Sequence, residues 1–118
     1  MAKSFRELTV WQRAMQLTVA VYKLTQGFPR DEIYGLTSQV RRAAVSIASN
    51  IAEGQGRGSS GEFKQFLQIA RGSNCEVETQ LEIARELKFG DARLIEEAEE
   101  LSVEVRKMLF GLLESLDA

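Results

Sequence analysis

The 118-residue sequence contains no histidine, one cysteine and one proline. Without histidine the commonest general base and the imidazole metal ligands are missing. A lone Cys75 can neither close an intramolecular disulfide nor supply a zinc-ligand cluster. Aromatic residues are 8% of the chain, too few to favour a β-sandwich. No apolar run approaches the ~20 residues that span a bilayer. The opening Met-Ala-Lys-Ser-Phe-Arg-Glu lacks a signal peptide's apolar core, so a cytoplasmic protein with no membrane partner is expected. A dominant charge sign is also lacking: 15 Lys and Arg stand against 17 Asp and Glu, a net charge of −2. No global field draws the chain to nucleic acid, and any such binding has to be local.

What is present is the composition of a globular protein, 44% hydrophobic and 27% charged, at a length that makes one domain over 1–118. Four segments repeat apolar residues at steps of four and three. Val10, Ala14, Leu17, Val21 and Leu24 predict a first helix over about 10–26. Thr9 and Gln12 are its capping box, Gly27 its left-handed stop, and Pro29 prevents continuation. Leu36, Val40, Ala44, Ile47 and Ile51 predict a second over about 36–54, capped by Thr37 or Ser38 and ended by Gly54, Gly56, Gly58 and Gly61. A third runs from a Ser59/Glu62 capping box through Phe63, Leu67, Ala70, Asn74, Val77, Leu81 and Ala84 to a stop at Gly90. Asp91 caps a fourth over about 92–116, with Leu94, Ala98, Leu101, Val105, Met108 and Leu112 as its repeat and Ile95, Leu109 and Leu116 alongside. Four amphipathic helices with three short connections predict an all-α fold, an antiparallel up-down-up-down four-helix bundle.

Charge is uneven along this chain. Residues 1–30 carry five basic and one acidic side chain, residues 91–118 three basic and eight acidic ones. Arg6, Arg13, Lys23 and Arg30 therefore make the first helix the better basic surface; Arg41, Arg42 and Arg57 complete the candidate nucleic-acid contacts. The turn from Gly54 to Gly61 lacks the Gly-Lys-Ser/Thr ending of a phosphate loop and reads as a flexible connection. Polar stripes run along Arg42, Ser46, Ser49 and Glu53, and along Lys64, Gln68, Arg71, Cys75, Glu78, Glu82 and Arg85. Each is a solvated face or, alternatively, a subunit edge. Ser73 and Asn74 are expected to face Ser46 and Asn50 in a structural hydrogen-bond cluster, since a serine has no activating base nearby in a chain without histidine. Glu96, Glu97, Glu99 and Glu100 read as a solvated acidic face, because Leu94, Ala98 and Leu101 hold the inward positions. Cys75 is expected to be half-buried and has no assigned role. Nothing points to a catalytic residue, a metal site or a cofactor.

A longer pattern lies between Phe28 and Glu76: Phe28-Pro29, Tyr34-Gly35-Leu36, Gln39, Arg41-Arg42-Ala43-Ala44, Ser46-Ile47, Asn50-Ile51-Ala52-Glu53-Gly54, Glu62-Phe63, Phe66-Leu67, Ile69-Ala70 and Gly72-Ser73. With Leu8-Thr9-Val10-Trp11 in front, it resembles the proteins named for intervening sequences in 23S ribosomal RNA genes, also labelled S23 ribosomal proteins. The resemblance covers nearly the whole chain. It implies a left-handed antiparallel bundle assembled as a ring-like homopentamer, and no characterised activity. One branch is similar to the accessory variability determinant of diversity-generating retroelements, which partners a reverse transcriptase and binds nucleic acid through a basic surface. A net charge of −2 departs from that branch. The functional expectation is a non-enzymatic oligomeric scaffold that binds RNA, DNA or a nucleic-acid-processing partner such as a reverse transcriptase. A purely protein-binding structural oligomer is the alternative.

Overall fold

Four long helices account for most of the chain in a computed structural model that describes residues 4–117. They are Thr9–Thr25 (α1), Leu36–Gly56 (α2), Ser60–Leu87 (α3) and Ala92–Asp117 (α4), with 3-10 turns at Phe5–Glu7 and Arg30–Glu32. No strand occurs among the described residues, and none of their helices is long and apolar enough to cross a membrane. The 28 residues of α3, at ~1.5 Å each, run nearly the full 43 Å of the long axis; the cross-section is 22 × 20 Å.

Among the described residues α1 packs on α2 and α4, and α3 packs on α2 and α4, while no Cα atoms of α1 and α3, or of α2 and α4, come within 8 Å of each other. Each helix thus holds one corner around a shared core. The expected stripes of α1 (Val10, Ala14, Leu17, Val21, Leu24) and α2 (Leu36, Val40, Ala44, Ile47, Ile51) are all buried. On α3 the stripe is buried from Leu67 to Ala84, with Phe63 partly covered.

α4 departs from expectation. Its buried line is Ile95, Ala98, Ser102, Val105, Leu109 and Leu113, whereas Leu94, Leu101, Met108 and Leu112 are only partly buried against the core. Two adjacent lines on this helix are apolar enough to face inward. Buried Asn74 settles the choice, because the inward register is the one that brings Ser102 to it.

The helix ends explain where the sequence signals held and where they did not. Ser59 Oγ accepts from the Glu62 amide at 3.2 Å and donates to its carboxylate at 3.1 Å, a capping box as expected. Asp91 Oδ1 accepts from the Arg93 amide at 2.8 Å. Thr9 instead is the first residue of α1, Leu8 stands at the cap without a side-chain bond, and Gln12 Nε2 reaches back to the Arg6 carbonyl at 2.8 Å. Gly27 is not left-handed. α1 ends because the amides of Gly27 and Phe28 turn back onto Leu24 and Thr25, carrying Phe28 into the core 5.8 Å from Phe89. Neither Thr37 nor Ser38 caps α2; Glu32 Oε1 accepts from the Leu36 amide at 2.9 Å.

α2 passes straight through Gly54, which is buried, and continues to Gly56. A Cβ on Gly54 would sit 2.6 Å from Phe66 Cβ, so here glycine admits α3 rather than ending α2. α3 closes at Lys88, left-handed with φ 58°, where the Phe89 amide reaches the Ala84 carbonyl at 2.9 Å. Gly90 follows at φ 72°, and a Cβ there would meet Leu24 Cδ1 at 2.9 Å.

Candidate interaction surfaces

Three of the four predicted polar residues, Ser46, Asn50 and Ser73, form one cluster, and the fourth, Asn74, pairs with Ser102 instead. Between α2 and α3, Ser46 Oγ and Ser73 Oγ are 2.8 Å apart, and Asn50 Nδ2 donates to the Ser46 carbonyl at 2.8 Å and to its hydroxyl at 3.0 Å. Asn74 turns to α4 instead: its Nδ2 donates to the Ser102 carbonyl at 3.0 Å, and Ser102 Oγ donates to Asn74 Oδ1 at 2.9 Å. Adjacent helical residues lie roughly 100° apart, so Ser73 and Asn74 face different neighbours. Asn74 and Ser102 are both essentially inaccessible. Replacing Asn74 by alanine leaves a buried hydroxyl and carbonyl short of a partner. The expected loss is about 1 to 3 kcal/mol, read from a chemical denaturation midpoint. Asn50 is only half-buried, and its replacement is expected to cost less.

The seven candidate cations do not form one patch. Arg13 is paired with Glu104 of α4 at 3.1 Å, and Lys23 lines a groove with Glu97, Glu100 and Glu104. The basic start of the chain therefore lies against its acidic end. Arg57 is held between Glu53 and Glu62, 3.2 and 3.8 Å away, with its guanidinium over Phe66. Arg6 lies over Phe5, and Arg41 lies over Tyr22 while donating to Thr25 Oγ1 at 2.7 Å. Arg30 and Arg42 are exposed. The stripe on α3 is not simply solvated either. Lys64 pairs with Asp117, Arg85 with Glu99, and Glu78 lies 3.8 Å from Arg106, so this line of charges seals the α3–α4 edge. Glu99, backed by Glu82 and Glu96, pushes the Arg85 guanidinium further above its usual range. Cys75 is exposed, not half-buried.

Two of the surface depressions lie on opposite sides of the bundle. One, of about 520 Å³, lies between α1 and α4 with Met15, Val19, Ala20 and Leu101 as its apolar part and three glutamates on its rim. The other, of about 440 Å³, lies between α2 and α3 and is polar, with Tyr34, Gln39, Arg42, Ser46, Ser73, Glu76 and Gln80 among its walls. Sequence reasoning missed Gln80, whose side chain is buried although its position follows Ser73 by seven residues and thus shares its face.

A sequence pattern of the 23S rRNA-intervening sequence proteins matches residues 6–111. The chain belongs to that family. The matched span takes in all seven cations, both hydrogen-bonded groups and the walls of both depressions. The fold is similar to a 1.70 Å crystal structure of a protein of unknown function from the S23 ribosomal protein family of Bacteroides thetaiotaomicron VPI-5482. The TM-score is 0.79 at 23% identity, over 89% of this chain and 98% of the other. At that identity the likeness is one of fold. Among curated proteins none matches the chain significantly.

Proposed function

We propose that this family member is a non-enzymatic scaffold of the cytoplasm. In this reading it is a single-domain, left-handed, antiparallel up-down-up-down four-helix bundle that assembles into a ring-like homopentamer and holds a nucleic-acid-processing partner such as a reverse transcriptase. The antiparallel sense is supported by the side-chain pairings Thr18 with Ala44 and Arg41 with Thr25, Lys64 with Asp117 and Arg85 with Glu99. In each set, later positions on one helix meet earlier positions on the next.

The observation that carries assembly is a pair of apolar stripes left open on helices at opposite corners of the bundle. α1 presents Met15, Val19 and Tyr22, 40 to 49% exposed, and α3 presents Ile69, Ile83 and Leu87, 42 to 56% exposed. Unlike patches that cover each other across copies make a heterologous contact, which closes into a ring when the rotation allows. The number five rests on the family resemblance. Light scattering at micromolar concentration is expected to give a multiple of the 13.2 kDa chain; a single-chain mass would overturn assembly.

A second reading, direct contact with RNA or DNA, is supported by the cations that carboxylates leave free. Arg13 and Lys23 face the glutamates of α4, which moves the favoured basic surface from α1 to the α2 side, where Arg42 stands. Anisotropy titrations of single-stranded RNA and DNA at several salt concentrations test it. Binding that weakens linearly in log salt supports contact, and no binding at low salt leaves the purely protein-binding oligomer.

A further inference from the structure

The polar cleft between α2 and α3 contains a group whose needs the protein itself leaves unmet. Gln80 is 9% exposed, and its Oε1 is buried without a hydrogen-bond donor. A buried carbonyl oxygen without a partner is costly, and native proteins keep few of them. Gln80 lines a cleft of about 440 Å³ together with Ser46 and Ser73, whose hydroxyls are 2.8 Å apart across α2 and α3. Its volume falls within the ~300 to 1,000 Å³ of small-ligand sites.

Its walls specify the missing partner. Tyr34 stands at the mouth, 94% exposed, with a free aromatic face. Arg42 lines the α2 wall as an exposed cation, and among the described residues no carboxylate pairs with it as Glu104 does with Arg13 or Glu53 with Arg57. Glu76 stands on the α3 wall, where it repels an anion and accepts from a hydroxyl or amino group. The cleft thus asks for an N–H edge beside Gln80, a flat ring against Tyr34 and an anion on the α2 side. A nucleotide carries all three on one compact unit, whereas a peptide has to supply them from several residues.

We propose that this cleft binds one nucleotide unit: the base edge donates to Gln80 Oε1, the base stacks on Tyr34, the phosphate pairs with Arg42 and the sugar hydroxyls reach Glu76. The inference rests on the nucleic-acid reading above and gives it a site. A free ribonucleotide and a residue within single-stranded RNA share the base edge, the ring, a phosphate and the 2′-hydroxyl that reaches Glu76; a residue within DNA lacks that hydroxyl.

The test uses the full chain with three probes: labelled twelve-residue single-stranded RNA and DNA of mixed sequence, the four nucleoside monophosphates, and inorganic polyphosphate as an anion without rings. Tyr34→Ala is expected to weaken oligonucleotide binding about ten-fold, the effect of one lost stacking contact. Arg42→Ala should weaken it and lower the slope of log K against log salt by about 0.7, one phosphate's share on a single strand. Both residues are exposed, so helicity should not change. Gln80→Leu keeps the volume and removes the orphan oxygen. Its midpoint of unfolding should hold or rise while binding falls, a split that a merely structural glutamine would not give.

Monophosphates that bind with the same dependence on Gln80 and Tyr34 identify a free nucleotide as the source. Binding of strands alone identifies nucleic acid. If the parent binds oligonucleotides and all three variants bind equally well, the cleft is the wrong site although the broader reading stands. If the parent binds none of the probes, both fall. If polyphosphate competes as well as the oligonucleotides, only charge is being recognised and the proposal is overturned. A changed particle mass in Tyr34→Ala without nucleotide binding assigns the cleft to a subunit contact and overturns it too.

Discussion

Changing Val19 to aspartate is expected to lower the particle mass to that of one chain, about 13 kDa, without loss of helix. Val19 is 49% exposed, and exposed substitutions away from special features usually move stability by no more than ~0.5 kcal/mol. The isolated chain should therefore tolerate the change. The assembly should not. In a contact that covers Met15, Val19 and Tyr22, a new carboxylate is stripped of water, which costs several kcal/mol at each interface, and Lys23 four residues on offsets only part of that because it already faces the glutamates of α4. The surroundings add to that cost, because Glu97, Glu100 and Glu104 border the same groove and Lys23 is its lone cation. A ring repeats the contact at every junction, so the loss is multiplied. Ile83→Asp on α3 should act in the same way if α3 carries the complementary patch. A parent-like mass for Val19→Asp would show that the α1 stripe is covered by something other than a second copy. Mass retained in Ile83→Asp alone would show that α1 meets a different face.

Much of this molecule is legible in its sequence because helical period and capping chemistry are local. Five buried positions on α1 and five on α2 follow from steps of four and three, and Ser59 and Asp91 cap as short polar side chains before a helix do. What stays hidden depends on the neighbour. α4 carries two adjacent apolar lines, and only Asn74, twenty-eight positions earlier, decides in favour of the line with Ser102. Ser73 and Asn74 are adjacent in sequence, so one expectation covered both, yet they turn to different helices. Glu32 caps α2 from a turn of its own, four residues before the amide it meets. The basic stretch at the start of the chain suggests an open cationic surface, but tertiary packing sets Arg13 beside Glu104. Long-range charge pairing of this kind leaves no periodic trace. Gln80 leaves only its seven-residue spacing from Ser73, because a polar residue at a buried position otherwise looks from the sequence like an interruption of the apolar line.

Gly54 is the position where local and tertiary preferences pull furthest apart, and its substitution should lower stability although it improves the helix. It sits inside α2 with ordinary helical geometry. Alanine there would gain about 0.8 to 1 kcal/mol of helix propensity over glycine. Against this, the new Cβ would lie 2.6 Å from Phe66 Cβ, 3.2 Å from Phe63 Cδ1 and 3.3 Å from the Phe63 carbonyl oxygen. A ring can swing away, but Phe66 Cβ and a carbonyl move only with the backbone of α3. Relief requires the two helices to part by several tenths of an ångström, and overpacking of this kind costs typically ~1 to 3 kcal/mol. Gly54→Ala should therefore be destabilised by about 1 kcal/mol net, and Gly54→Val, with two more methyls and no propensity gain of that size, by about 3 kcal/mol. Gly56 supplies the contrast two residues on. It lies in the last turn of the same helix with nothing within 4 Å of a built Cβ. Gly56→Ala should hold stability level or raise it by up to ~1 kcal/mol. Thermal unfolding of the three variants reads the difference, at roughly 4 °C for each kcal/mol in a chain of this size. The parting of α2 and α3 should also lengthen the Ser46–Ser73 contact, so Gly54→Val should lose protection at the amides of both helices in hydrogen exchange. Should Gly54→Ala stabilise the protein as Gly56→Ala does, close approach of α3 is not what requires glycine at this position, and the two helices are held apart by something other than their backbones.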